Sequence, residues 1–536
     1  PIVLVPGIAG TYAADASADI GWLLNRGQPP ANTVVDPLGR VYHDLIQTLR
    51  NVGYRDGIDL FVVNYDWRLP PGPSDGQFDG HIGGLEAQAL ADEQFRYAVD
   101  YLGWALRQAA ESWRSRTGRP LEKVHVIAHS TGGLVTRTYI QSDAYGGIYD
   151  QANGYRLPEI DQFILVGVPN RGASKAWNPL HDNWIADPVY RVVLSKIVNR
   201  GYQKVLSGRT IAGPDHAIDR SSISPTGQPD PQLFISQYVP TIRSLLATYD
   251  FIDFGQGFTT VNQDPQWRNE LILDLNDGLD LTPTADPSPF ADRVRATVIC
   301  GASERTANLV VERTGTAAPN VLLPFTDFLA NDAETTDVWF EDLWLVEGGD
   351  GTVPLESCQE PFVGDERVNL LLFRKGENTS GAADHTGLMS NPDVQAAILD
   401  ALGVTYDRET DIASGTGAQI GNALAVISDP VELFLVDGAG RRLGYSQATG
   451  AVTEIPGSLW RGDTEGIGYV FGTLEEPLRL ELTGLGEDHY VMVSLERDGH
   501  PAGGAISSGF LAQGEEKTIS VERLQGFNLF LPVVAR

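Results

Sequence analysis

The chain has 536 residues, too many for one hydrophobic core, so two or more domains are expected. Its 42% hydrophobic and 20% charged content is ordinary for a globular protein, and no run of about 18 apolar residues is present to cross a membrane. A net charge of −31 excludes a nucleic-acid binder, whose phosphates would be repelled, and disfavours tight docking on anionic membranes.

The sequence opens on an apolar strand, "PIVLVPG", with neither Met nor a signal peptide, which says little about location. From residue 1 to about 405, apolar β-branched runs alternate with helical patterns, the signature of an α/β sheet. Strands are expected at 2–5, 60–65, 124–128 and 162–166, and again at 294–300, 342–346 and 368–373. Their almost wholly apolar texture fits a sheet covered by helices on both faces. Helices are expected at 41–53, 92–113, 132–141 and, after an Asn-Pro start, 393–402. A stretch from about 174 to 290, rich in Pro loops and aromatics, interrupts the alternation. Such an insertion covers the carboxyl ends of the strands, where ligands bind, and reads as a cap or lid; a decorative insertion is the alternative. From about 416 to 536, short alternating strands such as "VELFLVD" and "LRLELTG" separated by Gly- and Asp-rich turns predict a small all-β sandwich.

The stretch "VHVIAHSTGGLV", 124–135, carries the chemistry. A nucleophilic serine needs a sharp strand-to-helix turn flanked by small residues, so that its hydroxyl projects. Ser130 follows a β-branched strand, Gly132 and Gly133 open the next helix, and Ala128 stands where Gly is commoner. The acid and then the histidine should follow in that order. Asp350 sits at the tip of "LVEGGDGTVPLES" beyond an apolar strand, although a plain Asp-Gly turn would look the same. His385, in the loop "GAADHTGLMS", is the one histidine that follows this acid before the β-rich region begins. Of the two backbone donors of an oxyanion hole, Thr131 supplies one. The loop "VLVPGIAGT" supplies the other, with Gly7 permitting close approach, Ile8 as the donor and Ala9 as the runner-up.

The series "LVPGIAGT", "NYDWRLPP", "AHSTGGLV", "GVPNRGAS", "GDGTVPLES" and "DHTGLMSNPDV" resembles, in order over residues 1–403, the motifs of the lecithin–cholesterol acyltransferase family of α/β-hydrolases. The resemblance implies an α/β-hydrolase fold, a Ser130–Asp350–His385 triad and cleavage or transfer of lipid acyl groups. It also implies that Asp66, Trp67 and Arg68 shape the pocket wall near the oxyanion loop. Animal members tether an early membrane-binding segment with a cysteine pair, and residues 12–36 here hold no cysteine. The C-terminal β-region lies outside the resemblance.

Two cysteines exclude a disulfide scaffold and any four-cysteine metal site. Cys300 closes the strand "VRATVIC" and Cys358 follows the acid turn, so both should lie at the carboxyl edge of the sheet near Asp350. A cysteine pair in these two motifs also resembles the bridge that family members carry. A disulfide is therefore expected, with an oxidising, extracytoplasmic setting; two buried free thiols are the rival reading. The leading function is hydrolysis of carboxylic esters of lipids or other hydrophobic substrates, through an acyl-enzyme and without metal or organic cofactor. Acyl transfer to an alcohol, or cleavage of an amide or polyester, would use the same residues. A surface-binding protein with an idle hydrolase part is the non-enzymatic alternative. The β-region is the candidate for holding an insoluble substrate, and the oligomeric state stays open.

Overall fold

In the computed structural model, which describes residues 1–184, 190–282, 285–314, 338–417, 420–497 and 500–523, the apolar runs pair into one parallel sheet. Its strands are β1 (Ile2–Val5), β2 (Leu60–Val62), β3 (Lys123–His129), β4 (Glu159–Val166), β5 (Arg295–Gly301) and β6 (Val368–Phe373). They lie in the order β6-β5-β4-β3-β1-β2, with Val3 opposite Val126 and Val298 between Leu165 and Leu370. This is the strand arrangement of an α/β-hydrolase sheet.

Successive side chains of a strand point to opposite faces, and here both faces are covered. Ile2, Leu4, Ile127, Ile164 and Ile299 pack against helices α1 (His43–Asn51) and α6 (Pro392–Leu402). Val3, Val5, Val126, Leu165 and Val298 face the other way, towards α2 (Ala98–Thr117) and α3 (Thr131–Ile140). The helix ends follow local chemistry. Asn391 Oδ1 accepts the Asp393 N–H at 2.9 Å with Pro392 at the first helical position, and Gly403 ends α6 at φ 68°. Two further helices matter below, α4 (Ser195–Leu206) in the cap and α5 (Leu355–Gln359) after the acid turn.

Two sequence expectations need correction. The run at 342–346 is no strand of the central sheet. It belongs to Val338–Gly349, which pairs antiparallel with Glu304–Thr314 as a hairpin leaving and rejoining the top of β5. An apolar run of that length fits a parallel or an antiparallel strand equally, so its texture could not tell the two apart. The hairpin also widens the cap beyond residue 290. Val310 and Val311 pair with Ile252 and Asp253, so the four-stranded cap sheet draws half its strands from past the expected boundary.

Residues 423–523 form two antiparallel sheets, one of six strands and one of five. In the six-stranded sheet, β7 (Ala423–Asp429) lies between β8 (Ile467–Phe471) and β9 (Glu487–Arg497). Leu424, Val426, Val470, Val491 and Val493 fill the space between the two sheets with Leu433, Leu435 and Leu480. The opposite face of β7–β9, carrying Ala425, Ile427, Tyr469 and Met492, is continuous with the core of the α/β part. Both faces of β7 are therefore buried, which explains its apolar run from Ala423 to Ile427.

That second face rests on the cap through buried charges. Asp19 accepts from Arg200 of α4 at 2.5 Å and from Arg461 of the sandwich at 3.3 Å, with Asp19 and Arg200 fully buried. Lys204 of α4 reaches Asp429 and lies 2.8 Å from Glu465, and Arg191 lies 2.9 Å from Glu496. Lys196 is buried beside them, and its ammonium is pulled down to about 8 by burial.

Candidate active site

At the carboxyl end of β3 the chain turns through Ser130 (φ 54°, ψ −131°) directly into α3. That backbone is strained for a residue with a side chain, and it pushes the hydroxyl out of the turn. The tight fit explains the small neighbours. A Cβ on Gly132 would lie 2.4 Å from the Val5 carbonyl oxygen, and one on Gly7 would lie 2.7 Å from Ser130 Cβ.

Ser130 Oγ stands 2.9 Å from His385 Nε2, and His385 Nδ1 stands 2.7 Å from Asp350 Oδ2. Residues spread over 255 positions of sequence thus form one hydrogen-bonded line. The acid is held from three sides. Its Oδ1 accepts the amides of Thr352 (3.0 Å) and Val353 (2.6 Å), and its backbone carbonyl accepts the His385 N–H at 2.7 Å. Asp350 is 1% exposed, Ser130 6% and His385 8%, and Ser130 and His385 line a pocket above.

Around the acid loop two further devices act. Cys300, at the end of β5, and Cys358, on α5, are joined in a disulfide with their Cα atoms 6.1 Å apart. Thr306 Oγ1 accepts the Gly351 N–H at 2.9 Å, and the buried Lys175 ammonium donates to the Gly351 carbonyl. Lys175 gave no signal in the sequence, because a lysine in a Gly-rich loop looks like a surface charge.

The loop after β1 turns tightly. Gly10 N–H donates to the Gly7 carbonyl at 3.0 Å, and Ala9 takes φ 57°. Ile8 and Ala9 line a pocket over Ser130 and His385, and Thr131 follows Ser130 at the start of α3. Among the described residues, the N–H groups of Ile8 and Thr131 have no protein acceptor. Gly7 is not among the residues lining the pocket, and a Cβ there would meet Ser130. Trp67 also differs from the reading by resemblance: it is fully buried, its indole donating to the Thr11 carbonyl at 2.8 Å, and it supports the loop from behind. Asp66 and Arg68 are likewise buried, paired at 2.7 Å, with Arg68 donating to the carbonyls of Trp22, Leu23 and Asn25.

The pocket opens over Ser130 and His385. Its walls are mainly apolar, with Val41 on one side, Tyr190, Val193 and Leu245 of the cap on another, and Ile420 closing a third. Ile420 comes from the segment leading into the sandwich, a contribution no local motif announces. That segment is tied down where Thr416 Oγ1 donates to Asp44 at 2.5 Å and Ala413 N–H donates to Thr48 Oγ1 at 2.8 Å.

Two more residues escaped the sequence reading. His129, beside Ser130, lies 2.9 Å from the Tyr42 hydroxyl through Nδ1 and 3.0 Å from the His385 carbonyl through Nε2. Burial, and then the nearby His385, hold its pKa well below the ordinary histidine value, so His129 is neutral. Of the other histidines, His181 packs its ring against Trp177 and Trp267 in the cap, and His489 bonds Ser507 within the sandwich.

No family model matches the chain, and no curated protein does. Solved structures with which it shares some likeness include the Tle4–Tli4 complex (14% identity, 75% of this chain and 97% of that one, TM-score 0.37). Lipase 1 from Pelosinus fermentans (12%, 72% and 92%, 0.31) and EstA from Clostridium botulinum (11%, 77% and 88%, 0.28) are others. At these scores their names carry no weight for function, and the chemistry has to come from the site itself.

Proposed function

We propose that the protein is a serine hydrolase of carboxylic esters with a hydrophobic acyl or alkyl part, akin to the lecithin–cholesterol acyltransferase-like enzymes. The observation that carries this reading is the line Ser130–His385–Asp350 on a strained elbow beneath a mainly apolar pocket. His385 Nε2 takes the Ser130 proton as Oγ attacks the ester carbonyl, while Asp350 fixes the imidazole tautomer and stabilises the imidazolium. The developing oxyanion is held by the N–H groups of Ile8 and Thr131. His385 then protonates the leaving alcohol, and a water activated by the same imidazole releases the acid.

On this reading residues 1–405 are the hydrolase part, and 416–536 form a module that braces the cap and completes the pocket wall. The disulfide supports an oxidising, extracytoplasmic setting. The test is labelling of the folded protein with a fluorophosphonate probe, followed by mass mapping of the modified peptide. Stoichiometric label on Ser130, with hydrolysis of p-nitrophenyl esters, is the expected result. A folded protein that takes no label and turns over neither esters nor phospholipids would instead favour the idle, surface-binding alternative.

A further inference from the structure

Three loops have to stay in register for the proposed chemistry: the one after β1 carrying Ile8, the elbow carrying Ser130 and Thr131, and the one carrying His385. One hydrogen-bonded chain touches all three. The Gly7 N–H donates to the Tyr42 hydroxyl at 2.7 Å, and that hydroxyl lies 2.9 Å from His129 Nδ1. His129 Nε2 lies 3.0 Å from the His385 carbonyl oxygen. Gly7 precedes the expected oxyanion donor, His129 precedes the nucleophile, and the carbonyl belongs to the base itself.

We propose that Tyr42 and His129 are positioning residues for the ester hydrolysis, setting the oxyanion loop and the base loop at fixed distances from Ser130. The inference rests on the reading of Ser130, His385 and Asp350 given above and adds to it.

The chain has one self-consistent arrangement of protons. A carbonyl can only accept, so His129 Nε2 must carry a hydrogen. A neutral imidazole then leaves Nδ1 as an acceptor, and the Tyr42 O–H fills it. The phenol oxygen keeps a lone pair for the Gly7 N–H. Every donor has an acceptor and none is shared. A charged His129 would point a second hydrogen at an oxygen whose own proton would then have no acceptor.

The anchors are rigid. Tyr42 immediately precedes α1, whose Leu45 and Leu49 are buried against the central sheet, and Tyr42 itself is 2% exposed. Its ring meets the His129 imidazole edge-on at 5.6 Å, and His129 lies 4.6 Å from the His385 ring. With the imidazole wedged between helix, sheet and base loop, its two nitrogens act as a spacer of fixed length. Such a spacer matters because an oxyanion hole assembled from two separate segments works only at a fixed separation, and a misplacement of about 1 Å costs on the order of a hundredfold in rate.

The test uses the full-length protein and a soluble p-nitrophenyl ester. Tyr42→Phe keeps the ring and removes the hydroxyl; His129→Leu removes both nitrogens; His129→Gln restores a donor towards the His385 carbonyl. We expect kcat to fall about 10- to 100-fold in Tyr42→Phe and His129→Leu with KM changed less than about threefold, because ground-state binding is untouched. The loss in the double variant should be smaller than the product of the two single losses, and His129→Gln should recover part of the loss. Fluorescence-monitored unfolding checks each fold, and His129→Gln keeps the question open should Tyr42→Phe fail to fold. The proposal is overturned if either single variant keeps kcat within threefold, if the two losses multiply, or if KM rises while kcat stays. Ser130→Ala, run alongside, separates the two levels. Full activity in Ser130→Ala removes the underlying reading, whereas an inactive Ser130→Ala beside a fully active Tyr42→Phe removes the positioning chain alone.

Discussion

Between the faces of the parallel sheet and its helices, Ile2, Leu4, Val126, Phe163 and Val298 are wholly buried and apolar. Between the cap and the β-sandwich, equally inaccessible positions hold Asp19, Arg200, Lys196 and Lys204. Apolar packing gains free energy with area and tolerates many arrangements. Buried ions gain little net energy, but each demands its partner at a set distance. The sheet thus supplies the stability of a scaffold, and the charged seam supplies one docking geometry. That geometry places Tyr190 and Val193 from the cap, and Ile420 from the segment entering the sandwich, on the walls of one pocket.

The comparison is broken most strongly at Asp19. Asp19→Ala would leave Arg200 and Arg461 buried without their shared carboxylate and should cost about 3–5 kcal/mol in urea unfolding. An exposed control, such as Asp56→Ala at the Arg50 pair on the surface, should cost about 0–1 kcal/mol. Equal losses at the two sites would mean that the seam is no more demanding than the surface.

Lys196 sharpens the contrast through pH. Its folded pKa, about 8, lies below the usual 10.5, so between these values the unfolded chain holds more protons. Stability should therefore rise with pH across that window, and below it the buried ammonium should cost on the order of 3 kcal/mol. Lys196→Met should remove this slope and raise stability at pH 7. Unfolding curves at pH 7 and pH 10, taken as parent minus variant, check both signs; a variant less stable than the parent at pH 7 would show that the ammonium is well paired.

The smallest effect tests the pocket wall. Ile420→Ala should shift kcat/KM towards longer or bulkier acyl chains by about 1–3 kcal/mol relative to short ones, the scale of one or two methylenes in an apolar pocket. An unchanged preference across a p-nitrophenyl ester series would take Ile420 off the substrate's path.

The difference between the regions also sets what the sequence discloses. The six central strands were legible because burial on both faces writes a continuous apolar run, and the elbow at Ser130 was legible because it requires small neighbours within a few residues. The strand Val338–Gly349 was misread, since "DLWLV" has the same texture whichever way its partner runs. The seam was invisible for a different reason. Asp19 in "ASADIGW" has the look of a surface residue, and its partners Arg200 and Arg461 lie 181 and 442 positions away. His129 and Tyr42 were missed in the same manner: their meaning lies in hydrogen bonds across 87 and 256 positions, to which no local pattern points.

The most direct measurement is the turnover of Ser130→Ala on a p-nitrophenyl ester, with circular dichroism and melting temperature recorded on the same preparation. The hydroxyl projects from the elbow and fills no core, so the melting temperature should match the parent while kcat falls on the order of a million-fold. Turnover within tenfold of the parent, in a variant that melts normally, would contradict Ser130 as the nucleophile.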